Sequence, residues 1–291
     1  MKFGTYFAYW EKEWEADYIK YCHKVSELGF DVLEVSAAGI VQMTDNQLEE
    51  LKETAKNCGL TLTACIGLPK DKDVSSENEE TRQKGLNYMK QILDALYKAD
   101  IHLIGGIIYA YWPVDYSLPF DKEKAREISL KSVRELADYA APYQITLALE
   151  TVNRFEHYLF NDAAEATQFV KDVNKDNVKV MLDAFHMNIE EDNFGDAIRN
   201  TGSYLGHFHI GECNRKVPGK GRMPWAEIGQ ALHDIHYNGC VVMEPFVRMG
   251  GTVGKEIRVW RDLSDNADEA KLDEDIRQSL IFLKTAFGTA K

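Results

Sequence analysis

Four side chains able to bind a metal ion or move a proton close four successive apolar runs. Glu150 ends ITLALE, Asp183 ends VKVMLD, His209 lies in LGHFHI and Glu244 in CVVMEPF. The intervals between them, 33, 26 and 35 residues, each suit one strand, one helix and two connections. Three carboxylates and one imidazole make a mostly hard-oxygen donor set, which suits Mn²⁺, Mg²⁺ or Co²⁺ better than a thiolate-bound structural zinc. Three acids around one divalent ion also leave surplus negative charge, so one acid is available to take a proton. A lone carboxylate at a strand end is commonly a cap or an ion-pair partner. Four such groups in phase on consecutive runs point instead to one shared site.

Further polar residues follow the same runs at short range. Glu156 lies in ETVNRFE, His186 in DAFHMN and Arg215 in ECNRK. Each alone reads as a solvated loop residue, but their places just after the fifth, sixth and seventh runs make them candidate substrate contacts. Glu212 is a rival acid in the loop of Arg215, and we read it as a supporting group. Tyr6, Trp14, Trp112 and Phe246 stand at or just after the ends of the first, fourth and eighth runs and could wall one side of a small pocket. Residues two apart share a strand face, so Ala148, Met181, His207 and Val242 belong one layer deeper. His207 therefore reads as a hydrogen-bonded histidine beneath the ligands.

The runs that must position these groups number eight: residues 2–8, 31–36, 60–66, 101–109, 145–150, 178–183, 205–210 and 240–246. Most are almost continuously apolar, as parallel strands covered on both faces must be. Helix signals lie between them. Thr44 with Gln47, Ser76 with Glu79 and Asp162 with Glu165 have the spacing of N-terminal caps. Gly29, Gly59 and Gly239 precede strands, where a helix end favours a residue tolerant of positive φ. Strand and helix alternating eight times predict a closed (β/α)8 TIM barrel, an α/β fold forming a single domain over 1–291. Active sites of such barrels lie at the C-terminal strand ends, where the four metal-compatible groups fall. The stretch 247–268 is too long for a simple connection, so it should cover the barrel mouth or meet another subunit.

Composition narrows the function classes. A formal charge of −13 over 291 residues argues against nucleic acid as a partner and against an anionic membrane surface. The first residues lack the apolar core of a secretion signal, and no run approaches a membrane span. Five scattered cysteines, Cys22, Cys58, Cys65, Cys213 and Cys240, form no CxxC pair and read as free thiols in a reducing cytoplasm. Neither a Walker-type loop nor a GxGxxG after the first strand is present, which argues against a nucleotide cofactor.

The stretches LETVNRFEHYL, VMLDAFHMNIEED, YLGHFHIGECNRKVPGKGR and VVMEPFVRMGG carry a resemblance that extends over essentially the whole chain. They are similar to the ketose 3-epimerases, the D-tagatose 3-epimerase and D-allulose (D-psicose) 3-epimerase family within the xylose-isomerase-like barrels. The resemblance implies one divalent metal per subunit, Mn²⁺ or Co²⁺ with Mg²⁺ possible, held by Glu150, Asp183, His209 and Glu244. It implies contacts to substrate oxygens from Glu156, His186 and Arg215, and an apolar pocket from Tyr6, Trp14, Trp112 and Phe246. It further implies a ketose substrate and a homo-oligomer, a dimer or tetramer. The segment CIGLPKD departs from the family pattern, which commonly has smaller or more polar residues around Ile66 and Leu68. That leaves the sugar preference open.

In the expected reaction the metal polarises the C2 carbonyl of the sugar. Glu150 and Glu244 come from the fifth and eighth strands, separated by two others, and so can flank opposite faces of an enediolate. One removes the C3 proton and the other returns one from the far side, inverting the centre. Three rival readings are an aldose–ketose isomerase on the same scaffold, a nuclease of the endonuclease IV type and a non-catalytic sugar-binding barrel. Acidic charge and the single strand-end imidazole cluster weigh against the nuclease. The intact acid pair weighs against the non-catalytic reading.

Overall fold

Strands buried on both faces need apolar side chains pointing inward and outward, and the eight runs supply them. In the computed structural model, which describes residues 1–288, they form β1 (Lys2–Tyr6), β2 (Val32–Ser36), β3 (Thr61–Leu68), β4 (Leu103–Tyr111), β5 (Thr146–Glu150), β6 (Val178–Asp183), β7 (Leu205–Ile210) and β8 (Cys240–Met243). Each strand pairs in parallel with the next, and β8 closes on β1 through Lys2↔Cys240 to Thr5↔Met243. The result is the expected (β/α)8 barrel; the last three residues of the predicted 1–291 domain lie outside the described ones.

Around the strands run α1 (Tyr18–Glu27), α2 (Ala37–Ile40), α3 (Asp45–Asn57), α4 (Glu79–Lys98), α5 (Lys122–Ala140), α6 (Ala163–Val173), α7 (Ala184–Glu190), α8 (Phe194–Thr201), α9 (Trp225–Asp234), α10 (Gly251–Glu256) and α11 (Glu269–Ala286). Thr44 and Gln47 form a full capping box on α3, and the Asp162 side chain accepts the Glu165 amide at the start of α6. Two expectations need correction. Asn78, not Ser76, caps α4, since its side chain accepts the Thr81 amide while Ser76 Oγ accepts the Asn78 amide one turn earlier. Gly239 does not hold a positive φ; His236 takes the left-handed position after α9, at φ 55°. Glycine suits 239 for space, because a Cβ there would lie 2.5 Å from the Tyr237 hydroxyl.

The long stretch 247–268 folds back toward the barrel mouth. The Val253 amide donates to Lys12 O, Thr252 donates to the Glu13 carboxylate, and Trp14 Nε1 donates to Glu256 at 2.6 Å. This ties α10 to the loop after β1 and sets Glu256 and Ile257 on the cavity wall, the first of the two places expected for this stretch. All five cysteines are free, and no described helix is long and apolar enough to cross a membrane.

Candidate active site

The barrel floor carries a buried hydrogen-bonded assembly in which His207 is the hydrogen-bonded histidine expected beneath the ligands, and whose acid, Glu34, sequence reasoning did not include. Glu34 on β2 is fully buried and divides its two oxygens between histidines of β7. Oε2 accepts from His207 Nε2 at 2.7 Å and from Thr63 Oγ1 at 2.8 Å, while Oε1 accepts from His209 Nε2 at 2.5 Å. Burial opposes the charge on Glu34, but the two rings outweigh it and hold its pKa well below the ordinary carboxylate value. With Nε2 occupied, His209 presents Nδ1 to the cavity side. That atom is buried without a hydrogen-bond partner among the described residues, and Glu244 Oε1 lies 3.5 Å away.

A divalent cation fits this arrangement. Glu150, Asp183 and His209 bring one donor atom each within 4.8 Å of one another, and Glu244 joins through His209. The expected quartet is therefore contiguous, though its three-donor core lacks Glu244. Glu34, His207 and His209 gather as closely, but both Glu34 oxygens are spent on ring nitrogens. This trio orients His209 in the manner of a carboxylate backing a metal-binding imidazole. Burial works against charge on His209, yet Glu34 and Glu244 raise its pKa well above the ordinary value. A cation at Nδ1 would replace the proton that these acids attract.

The acids differ in basicity. Burial, helped by the Glu244 charge, raises Glu150 above its ordinary pKa against the opposing pull of His186 and His209. Asp183 is equally buried, but His186, Arg215 and His209 more than offset desolvation and lower it. Arg215 Nη1 spans Asp183 Oδ2 at 3.3 Å and Glu244 Oε2 at 3.1 Å, and its guanidinium lies over the Phe185 ring at 3.7 Å. His186 Nε2 stands 3.6 Å from both Glu150 and Asp183. Burial resists protonation of His186, whereas Glu156, Glu150 and Asp183 favour it and raise its pKa. The hydrogen bonds favour a neutral ring: the Asn153 amide and Nδ2 both approach Nδ1, which must then offer a lone pair. We assign the proton to Nε2, facing the acids.

Above this floor opens a cavity of about 220 Å³. Tyr6, Trp14, Trp112, Phe246, Glu156, His186 and Arg215, all expected as substrate contacts, line it together with Glu150 and Glu244. Tyr6, Trp14 and Phe246 pack as a cluster with ring centroids 6.3–6.4 Å apart. Trp112 Nε1 donates to Glu156 Oε2 at 2.9 Å, joining the fourth ring to the acid opposite. Of the two atypical residues on β3, Ile66 lines the cavity and Leu68 does not. Glu212 proves to be a loop organiser: fully buried, it accepts from Gly219 N, Met223 N and Trp225 Nε1 and so shapes the loop carrying Arg215.

The sequence profile of the xylose isomerase-like TIM barrels matches residues 22–281. The D-psicose 3-epimerase of Ruminiclostridium cellulolyticum is 55% identical over 282 residues, 97% of this chain and 96% of that relative. This chain belongs to the ketose 3-epimerase family. Membership in the ketose 3-epimerases makes it an isomerase. The D-psicose 3-epimerase of Agrobacterium fabrum is 53% identical, with 99% of this chain and 100% of that protein aligned. A crystal structure of a D-psicose 3-epimerase in the presence of D-fructose superposes with a TM-score of 0.98 at 53% identity, covering 99% of this chain and 100% of the other. A D-psicose 3-epimerase with D-tagatose from Clostridium cellulolyticum H10 gives a TM-score of 0.97 at 54% identity, covering 99% of both chains.

Proposed function

We propose that this ketose 3-epimerase interconverts free ketohexoses at C3, with D-fructose and D-psicose as the first pair and D-tagatose beside them. The observation that carries the reading is that Glu150, at the end of β5, and Glu244, just after β8, line the same cavity as Arg215 and His186. Mn²⁺ or Co²⁺, with Mg²⁺ as a further candidate, would be held by Glu150, Asp183, His209 and Glu244 and would supply Lewis-acid polarisation of the sugar carbonyl.

The chain's own groups account for the remaining steps. A carboxylate with an ordinary pKa of about 4 is a feeble base toward carbon, so the upward shift of Glu150 is in the useful direction. Glu150 takes the C3 proton from one face, and Glu244 gives a proton to the opposite face of the planar fragment. For the epimeric substrate the two exchange roles. The Arg215 guanidinium and His186 Nε2–H donate to oxygens near the reacting carbons, while Glu156 accepts from a hydroxyl at the C1 end. Tyr6, Trp14, Trp112 and Phe246 exclude water from the C4–C6 side.

Turnover in D₂O should place deuterium at C3 of both epimers. Glu150→Gln and Glu244→Gln should each lower kcat by at least ~10²-fold, the lower end of what a placed acid or base supplies. Deuterium at C1 in place of C3 would indicate an aldose–ketose isomerase. A glutamine variant with near-normal turnover would refute the two-acid scheme.

The assembly we propose is a homodimer or homotetramer. Tyr116, Leu118, Phe120 and Phe155 form an exposed apolar surface beside the mouth, with Tyr116 joined to Arg154 O and Phe120 stacked on Tyr158. Such a patch on an otherwise acidic protein suits a subunit contact. Phe120→Asp with Phe155→Asp should reduce the solution mass seen by light scattering, and an unchanged mass would remove this surface from consideration. Five free thiols suit a reducing compartment, and we place the enzyme in the cytoplasm.

A further inference from the structure

Cys65, on β3, belongs to the wall of the catalytic cavity and lies beside the floor. Its Sγ, a nitrogen of His209 and a carboxylate oxygen of Glu244 all lie within 4.8 Å of one another. Donors around a tetrahedral ion stand about 3.6 Å apart, given metal–sulfur bonds of about 2.3 Å and metal–nitrogen or –oxygen bonds of about 2.1 Å. Small side-chain rotations would therefore close this trio on one ion. His209 Nδ1, fully buried and without a hydrogen-bond partner among the described residues, is the nitrogen free to take an ion here. The same imidazole completes the oxygen-rich set of Glu150 and Asp183. Two donor sets of different chemical softness thus share one ring.

We propose that Cys65, His209 and Glu244 form a second, overlapping site that takes a thiophilic divalent cation such as Cd²⁺ or Zn²⁺ and excludes the catalytic one. Soft thiolate donors select such ions, whereas the carboxylate-rich set suits harder ones. On binding, the Sγ–H bond breaks, its proton passes to solvent and a sulfur–metal bond forms; no electron is transferred. Occupation withdraws His209 and Glu244 from Glu150 and Asp183, so thiophilic ions inhibit by displacement. This inference rests on the reading of His209 as a metal ligand in the proposed function.

The test uses the full-length protein, stripped of metal and titrated with Cd²⁺ while ultraviolet absorption follows thiolate-to-cadmium charge transfer. One equivalent should produce a band that Cys65→Ala and Cys65→Ser both lack, and each variant should bind Cd²⁺ at least about tenfold more weakly for want of the soft donor. In Mn²⁺-loaded protein, Cd²⁺ should release one Mn²⁺ per chain, read from the resonance signal of free Mn²⁺. No band, or a band that persists in both variants, overturns the site. A Cys65-dependent band without release of Mn²⁺ overturns the overlap. If the wild type binds no Mn²⁺, the functional reading fails, and the cadmium band alone decides for or against the thiolate site.

Discussion

His157, in the loop after β5, shows how one buried side chain sets a stability limb. It is fully buried, accepts the Leu159 amide at Nδ1, and has no partner for Nε2 among the described residues. Desolvation pushes its pKa down from 6.5 to about 3. The native state thus keeps this ring neutral where the unfolded chain would protonate it. Its contribution is complete above pH 6.5 and is lost as pH falls from there toward 3, at about 1.4 kcal/mol per pH unit. His157→Asn removes that proton. Between pH 7 and pH 5 the variant should lose about 2 kcal/mol less stability than the wild type in urea unfolding. Parallel pH curves for the two proteins would disprove the assignment. The site residues themselves were mostly legible because each closes a run or follows one closely. Glu34 was not, although a lone acid inside DVLEVS was a signal. Its meaning depends on His207 and His209, some 173 and 175 positions away and across the barrel. Cys65 was read only as one of five free thiols for the same reason: its neighbours His209 and Glu244 come from β7 and the residue after β8.

Among the elements, the strands were legible because burial on both faces makes their sequences nearly continuous apolar runs. Helix starts were less so, since Ser76 and Asn78 are both competent caps and only the local hydrogen bonds choose between them. The segment 247–268 was legible as an anomaly of length, but not as α10 docking on the loop after β1. Gly251 makes that docking possible. Its φ is +67°, and a Cβ would lie 2.0 Å from Lys12 O and 2.7 Å from the Glu13 carboxylate. The Glu13 carboxylate can swing aside, but the Lys12 carbonyl is backbone and yields only if α10 moves, and α10 carries Glu256 toward Trp14 and leads into Ile257 on the cavity wall. Gly251→Ala should therefore raise the KM for ketose several-fold, change kcat less, and cost roughly 1–3 kcal/mol of stability through the strained backbone. Steady-state kinetics with thermal unfolding checks this, and an unaltered KM would mean that α10 does not shape the cavity.

At the scale of the whole molecule, a net charge of −13 accompanies a floor where Glu34, Glu150, Asp183 and Glu244 are all buried. Arg215 and the surrounding histidines balance part of that charge, and the proposed cation would balance more. An ion that binds the native state alone stabilises it by mass action, by about 2.7 kcal/mol at a hundred times its Kd. For a chain of this size that corresponds to roughly 4–8 °C in Tm. Adding Mn²⁺ to metal-free protein should produce such a rise, chelation should reverse it, and His209→Ala should nearly abolish it. The acidic surface offers a competing cause, because any salt screens repulsion among excess acids. Sodium chloride at matched ionic strength separates the two. If it reproduces the rise, or if His209→Ala responds to Mn²⁺ as the wild type does, the stabilisation belongs to the surface and not to the barrel floor.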